Sequence, residues 1–228
     1  MKKIFILIFI FANIAFQANA IKYVDQLCVP TPAAYKIQPL PEFYHSNNMR
    51  NFMGMTGHAK GRNLVFEGRV YDNNCIPIPN AIVEIWHKNS EGIYKNDIRH
   101  KDLWDKNFTG TGSAQTDNWG QFAFYTIFPG TSDKHEMRHI DLRVRHPDFP
   151  ILETRVYFEG FYTGRDSLLR GFSDSQKRQL ISNREKNIGD ALNFSILLVL
   201  DGQNRYKINY FFGGIMASKI LTCSILSI

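Results

Sequence analysis

Polar residues recur at every second position in His139-Ile140-Asp141-Leu142-Arg143-Val144. A strand repeats every two residues, so His139, Asp141 and Arg143 fall on one face while Ile140, Leu142 and Val144 take the other. Two readings fit. In one, the polar face walls a pocket where the His139 imidazole and the Asp141 carboxylate reach a metal, a carboxylate oxygen being a sensible donor to a hard cation. In the other, the strand is half-buried and its polar face meets water, which explains the alternation equally well. His135, four residues before His139, is a further imidazole in a loop-like segment. Tyr94 follows a turn at Gly92, where a tyrosine is ordinarily a packed ring with a hydrogen-bonded hydroxyl. Cys28, Cys75 and Cys223 show neither a CxxC pair nor the Cys/His spacing of a zinc site. Three cysteines allow at most one internal disulfide, with Cys28–Cys75 as a candidate and Cys223 left over.

Such groups need a frame to hold them. From Asn63 the sequence turns strand-like: Leu64–Tyr71, Ala81–Trp86, Gln121–Ile127, His139–Arg145, Leu152–Phe158 and Leu192–Leu200 are β-rich runs parted by turn chemistry such as Asp72-Asn73-Asn74 and Pro129-Gly130. One helix is expected over residues 174–185, with Ser173 or Asp174 as its N-cap. Short strands without intervening amphipathic helices predict an all-β, antiparallel β-sandwich. Residues 62–200 form this unit, and residues 21–61, rich in Pro, Asn, Gly and Met, read as an N-terminal arm that wraps it. Trp86, Trp119 and Tyr125 are expected to be packing residues.

The ends carry different information. Lys2-Lys3, the apolar run Ile4–Phe11 and Ala18-Asn19-Ala20 have the layout of a signal peptide over residues 1–20, which predicts export to a periplasm or beyond. The apolar run falls well short of the roughly twenty residues that span a bilayer. The tail, 201–228, is apolar but broken by Lys219, so it is expected to pack rather than to contact a membrane. The net charge of +6 is scattered, with no basic run of the kind that binds nucleic acid or lipid headgroups.

Several segments then fall into a known order. Gly68-Arg69-Val70-Tyr71-Asp72, Pro79–Trp86 with Val83-Glu84-Ile85-Trp86, Gly92-Ile93-Tyr94, Thr116-Asp117 with Gly120, Thr126-Ile127 with Pro129-Gly130, His139-Ile140 and Thr154–Gly160 resemble the core of the protocatechuate 3,4-dioxygenases, members of the intradiol ring-cleavage dioxygenase family. The Gly-Arg-Val and Asp-x-x-Gly-x-Phe pieces also occur in transthyretin-like modules. Val-Glu-Ile-Trp, Gly-x-Tyr and Tyr-Phe-Glu-Gly in this order are the specific part.

The resemblance implies a fold and a chemistry. In that family two tyrosines and two histidines hold ferric iron, Fe(III), and a catechol chelates it. Anionic phenolates suit a hard, highly charged ion, and the bound, deprotonated ring becomes electron-rich enough to react with dioxygen. Residue by residue, the first tyrosine falls on Tyr94 and the first histidine on His139. Thr131 and Ser132 stand where the second tyrosine belongs, and Asp141 stands at the second histidine. The family's arginine falls on Glu136, with Arg138 two positions later. The implied metal ligands are thus Tyr94, His139 and Asp141, with Arg138 as the candidate catalytic group, which either neutralises an anionic intermediate or is simply solvated. The α-type subunit of protocatechuate 3,4-dioxygenase lacks the same two ligands. The resemblance therefore implies a ring-opening dioxygenase acting on a small catechol-like aromatic, or a non-catalytic structural subunit or binding module that forms a homo- or hetero-oligomer with a related chain. A third implication is an exported transthyretin-like module that binds carbohydrate or peptide.

Overall fold

The computed structural model describes residues 28–33, 41–133 and 136–202, and beyond them only the backbone pairing of Phe211–Phe212 with Ile215–Met216. Eight strands build one sheet: β1 (Asn63–Tyr71), β2 (Ile82–Trp86), β3 (Thr111–Gln115), β4 (Gln121–Ile127), β5 (His139–His146), β6 (Phe149–Phe158), β7 (Ile181–Ile188) and β8 (Ala191–Val199). Their order is β3-β2-β5-β6-β7-β8-β1-β4. The sheet folds on itself and nearly closes. Its seam is thin at β6–β7, where only Tyr157↔Ile181 and Phe158↔Ser182 pair. At the other edge, residues 44–49 fill the gap between β3 and β4. There the Ser113 amide donates to the Ser46 carbonyl, while the Tyr125 amide donates to Asn47 and the Met49 amide to Tyr125.

Alternation explains what faces inward. Leu64, Phe66, Val83, Ile85, Phe122, Phe124, Ile140, Leu142, Val144, Val156, Phe194 and Leu198 interlock in one buried core. Burying each such side chain contributes about 1.5–3 kcal/mol. A second, smaller cluster of Met137, Tyr157, Leu169 and Leu180 covers part of the opposite face of β5 and β6. The polar face of β5 is accordingly not turned to water: His139 and Asp141 are both buried.

Several expectations need correction. The sheet is mixed rather than antiparallel, since β1 runs parallel to β8 and β6 parallel to β7. The helix, α1 (Asp174–Gln179), starts at Ser173 with a capping box through Gln176 but stops at Leu180, and the residues expected to continue it form β7. The polar sequence of β7 hid the strand, because Asn183–Ile188 is exposed and no apolar alternation marks it. Trp119 is 69% exposed and Tyr125 43%, so neither is a core residue. Tyr125 falls on the outward phase of β4, beneath the Arg50 guanidinium. Trp86 is buried, as expected of a packing residue.

Cys28 and Cys75 are joined in a disulfide, which fastens residues 28–33 to the β1 turn. The same segment hydrogen-bonds through the Thr31 amide to the Val199 carbonyl, and the Thr154 hydroxyl donates to the Pro32 carbonyl. Residues 1–20, His135, Cys223 and most of the tail lie outside the described residues. No helix among the described residues is long and apolar enough to cross a membrane.

Candidate metal centre

Tyr94 is placed by the turn before it. The Asn89 side-chain carbonyl accepts from the Glu91 and Ile93 amides, each at 3.0 Å, and its amide group donates to the Leu103 carbonyl at 2.9 Å. Such side-chain caps fix a turn without help from neighbouring strands. Gly92 has φ of +82°, and a Cβ there would run into the Thr131–Ser132 backbone. Gly130 is equally constrained, as a Cβ on it would meet the Ser90 and Gly92 backbone. Two glycines thus let the Tyr94 turn and the β4–β5 connection lie against each other, which no side chain would permit.

His139 and Asp141 are placed by β5, which is hydrogen-bonded to β2 on one side and β6 on the other. The Tyr94 hydroxyl lies 2.9 Å from His139 Nε2 and donates to Asp141 Oδ2 at 2.6 Å. His139 Nε2 and Asp141 Oδ2 are 3.9 Å apart. The structure therefore brings these three groups together, although 45 and more residues separate the tyrosine from the other two. A point about 2 Å from all three atoms lies near their common plane, a normal bond length for a first-row metal.

Proton bookkeeping makes the group unusual. The other ring nitrogen of His139, Nδ1, lies 2.7 Å from the Met137 carbonyl, which can only accept, so Nδ1 carries the ring proton. Burial, and secondarily the Arg155 charge, depress the His139 pKa, which keeps the ring neutral and leaves a lone pair on Nε2. Nε2, the phenol oxygen and Asp141 Oδ2 are thus three potential cation donors facing one another. A cation in their midst would satisfy all three at once. The donor set fits one: two oxygen donors that become anionic and a tautomer-locked imidazole. Among the described residues no three His, Cys, Asp or Glu side chains gather into a metal site, and here the third donor is a phenol.

Arg155 was not among the expected site residues, yet it touches the centre of this group. Its Nε donates to Asp141 Oδ1 at 2.7 Å and its Nη1 to Asp166 Oδ2 at 3.2 Å. Arg155 stands directly opposite Asp141 in the β5–β6 register. The period-two pattern of Glu153, Arg155 and Tyr157 was the available signal; the pairing register was not. The expectation for Arg138 meets a different geometry. Its guanidinium turns to the β4–β5 connection, donating to the Pro129 carbonyl and lying over the Phe128 ring. At the position of the absent second tyrosine, Ser132 Oγ accepts from Lys88 Nζ at 3.1 Å, and Lys88 pairs with Glu136 at 2.6 Å. A groove of about 570 Å³ between β3 and β4 holds none of these residues.

Comparison with known proteins gives this geometry a context. A family model described as Dioxygenase matches residues 40–202. The Rickettsia conorii protein named "Putative dioxygenase" is 32% identical over 122 residues, which are 50% of this chain and 58% of that protein. The chain thus matches little more than half the length of that relative. The protocatechuate 3,4-dioxygenase beta chain of Burkholderia cepacia is 29% identical over 187 residues, 77% of each chain. Among solved structures, an intradiol ring-cleavage dioxygenase from Tetranychus urticae superposes with a TM-score of 0.57 at 20% identity, covering 78% of this chain and 97% of that one, a likeness of fold. The family match runs through Tyr94, His139, Asp141 and Arg155 alike, and the protein belongs to the intradiol-type dioxygenase family.

Proposed function

We propose that this protein is a non-haem Fe(III) dioxygenase that opens the ring of a catechol-like aromatic between its two hydroxyl-bearing carbons. One observation carries the reading: the Tyr94 oxygen, His139 Nε2 and Asp141 Oδ2 converge within 2.6–3.9 Å of one another. Ferric iron held by these three would act as a Lewis acid that binds both catechol oxygens and activates the ring toward dioxygen. The chain's own residues do the rest. His139 offers Nε2 because its Nδ1–H is spent on Met137. Asp141 turns Oδ2 toward the centre while Arg155 occupies Oδ1. Tyr94 would give up its hydroxyl proton to solvent as the cation binds, so that the phenolate and the Asp141 carboxylate both meet it as anions. We assign Arg138 to holding the β4–β5 connection, in view of its Pro129 and Phe128 contacts.

Exported, periplasmic or secreted residence belongs to the same proposal. The Cys28–Cys75 disulfide supports it, since such bonds persist in oxidising compartments.

The test is spectroscopic and then catalytic. Mature protein loaded with ferric iron should show a visible phenolate-to-iron charge-transfer band, lost in Tyr94→Phe, and should consume dioxygen with a catechol. Protein that takes up no iron and stays colourless would overturn the reading. A colourless chain that co-purifies with an iron-bearing relative would instead be a structural subunit, a reading favoured by one feature, the Lys88–Ser132–Glu136 cluster where a second phenol ligand would stand.

A further inference from the structure

We infer that Arg155 is a positioning residue that divides the Asp141 carboxylate, holding Oδ1 so that Oδ2 is presented to the cation, with Asp166 anchoring the guanidinium from behind. The inference rests on the proposed metal role of Asp141 but reaches a residue outside the ligand set.

Asp141 is 1% exposed, and a carboxylate so buried needs a partner. Arg155 supplies one in a fixed way. Its Nε meets Asp141 Oδ1 at 2.7 Å and its Nη1 meets Asp166 Oδ2 at 3.2 Å, so one planar fork bridges two carboxylates. Asp166 is itself immobilised. Its Oδ2 accepts from the buried Tyr157 hydroxyl at 2.8 Å, and its Oδ1 accepts from the Leu168 amide at 2.9 Å, which caps the short turn Ser167–Leu169. Leu169 of that turn is buried against Met137, Tyr157 and Leu180. A chain of direct contacts therefore runs from a packed turn, through Asp166 and Arg155, to Asp141 Oδ1, on the carboxylate whose Oδ2 faces Tyr94. Rotation of the Asp141 carboxylate would break the Arg155 contact, and the fork resists it. Partners of this kind, one bond removed from a metal, orient the ligand and commonly change metal affinity 10–100-fold.

The test compares unaltered protein with Arg155→Lys and Arg155→Gln in two ways. Crystal structures of the metal-free forms read the carboxylate directly, and ferric iron titration followed by the charge-transfer band reads its consequence. Lysine keeps the charge without the fork, and glutamine keeps one donor without the charge. Both variants are expected to lose the Tyr94–Asp141 contact and to weaken iron binding by about tenfold. Retention of that contact in Arg155→Gln, or iron affinity in Arg155→Lys within about twofold of the unaltered protein, would overturn the proposal, because charge alone or no arginine at all would then suffice. Should unaltered protein bind no iron, the dioxygenase reading falls while the metal-free structures still judge Arg155. If neither arginine variant folds, Asp166→Asn carries the same pair of measurements from the other side of the fork. An unmoved Asp141 carboxylate there, with unchanged iron affinity, would likewise overturn it.

Discussion

Two polar groups share strand β5 and solve the same problem differently. Around Glu84 on β2, each carboxylate oxygen has guanidinium donors. Arg143 Nε meets Oε2 at 2.6 Å, Arg145 Nε meets it at 3.0 Å, and Arg145 Nη2 meets Oε1 at 2.8 Å. Just past β2, His87 has both ring nitrogens served, with Nδ1 donating to the Lys88 carbonyl and Nε2 accepting from the Thr126 hydroxyl, each at 2.8 Å. Around Asp141 one arginine, Arg155, holds Oδ1 through its Nε, while the Tyr94 hydroxyl donates to Oδ2 and lies 2.9 Å from His139 Nε2. The first region is closed by charge pairing, whereas the second sets a phenol, an imidazole and a carboxylate oxygen facing one another, the arrangement on which the proposed metal role rests.

The largest expected effects separate the two regions by kind. Glu84→Ala leaves the half-buried Arg143 without its carboxylate and should cost about 3 kcal/mol in denaturant unfolding. Iron binding should stay within about twofold, because Glu84 faces no donor of the centre. Asp141→Ala should do the reverse, with iron affinity falling by about two orders of magnitude, more than an outer partner's loss would bring. Equal iron losses in both variants would dissolve the distinction.

Acid should expose the closed region next. Burial, the dominant cause, lowers the His87 pKa to about 4. Its value in the unfolded chain lies above that, so between pH 6.5 and 4 the unfolded state binds a proton that the folded state refuses. Stability is whole above that window and falls as the pH drops, by roughly 1.4 kcal/mol per pH unit and about 3 kcal/mol in all. Unfolding measured across the window should show this slope, and His87→Gln should remove the His87 share of it, leaving the part that the depressed His139 pKa contributes. Glu84 answers acid differently. Burial, the largest single influence, raises its pKa, but the hydrogen bonds and charges of Arg145 and Arg143 outweigh it and hold the carboxyl below its ordinary value. Its contribution is therefore lost only at still lower pH.

The sequence disclosed the open region better than the closed one, for a physical reason. The Gly92-x-Tyr94 turn and the His139-x-Asp141 alternation are local, and local patterns survive in one dimension. The strands around them were read where apolar residues alternate, as in β4 and β5, and missed where they do not, as in β3 (Thr-Gly-Ser-Ala-Gln) and β7. Tyr125 was misplaced because its neighbours Phe122 and Phe124 suggested an aromatic core, although a period of two puts it outside. Arg155 and Asp166 could not be found at all from spacing. Arg155 meets Asp141 only once the β5–β6 register is set, and Asp166 meets both through a turn packed on the second cluster. Partners of partners belong to the third dimension.

The smallest expected effect is the most discriminating. Asp141→Asn keeps a carbonyl oxygen for Arg155 Nε and replaces the other oxygen with an amide that can donate to the Tyr94 oxygen or to His139 Nε2. Arg155 loses one charge partner but retains Asp166 at 3.2 Å. The substitution therefore leaves the Arg155 and Tyr94 contacts each with a polar partner, and its stability should stay within about 1 kcal/mol of the unaltered protein in the metal-free state. Iron binding should still collapse, since the amide offers the cation neither charge nor a free lone pair on that side. Denaturant midpoints measured without metal, beside ferric titrations of the same samples, would test both halves. A loss near 3 kcal/mol would make Asp141 as structural as Glu84.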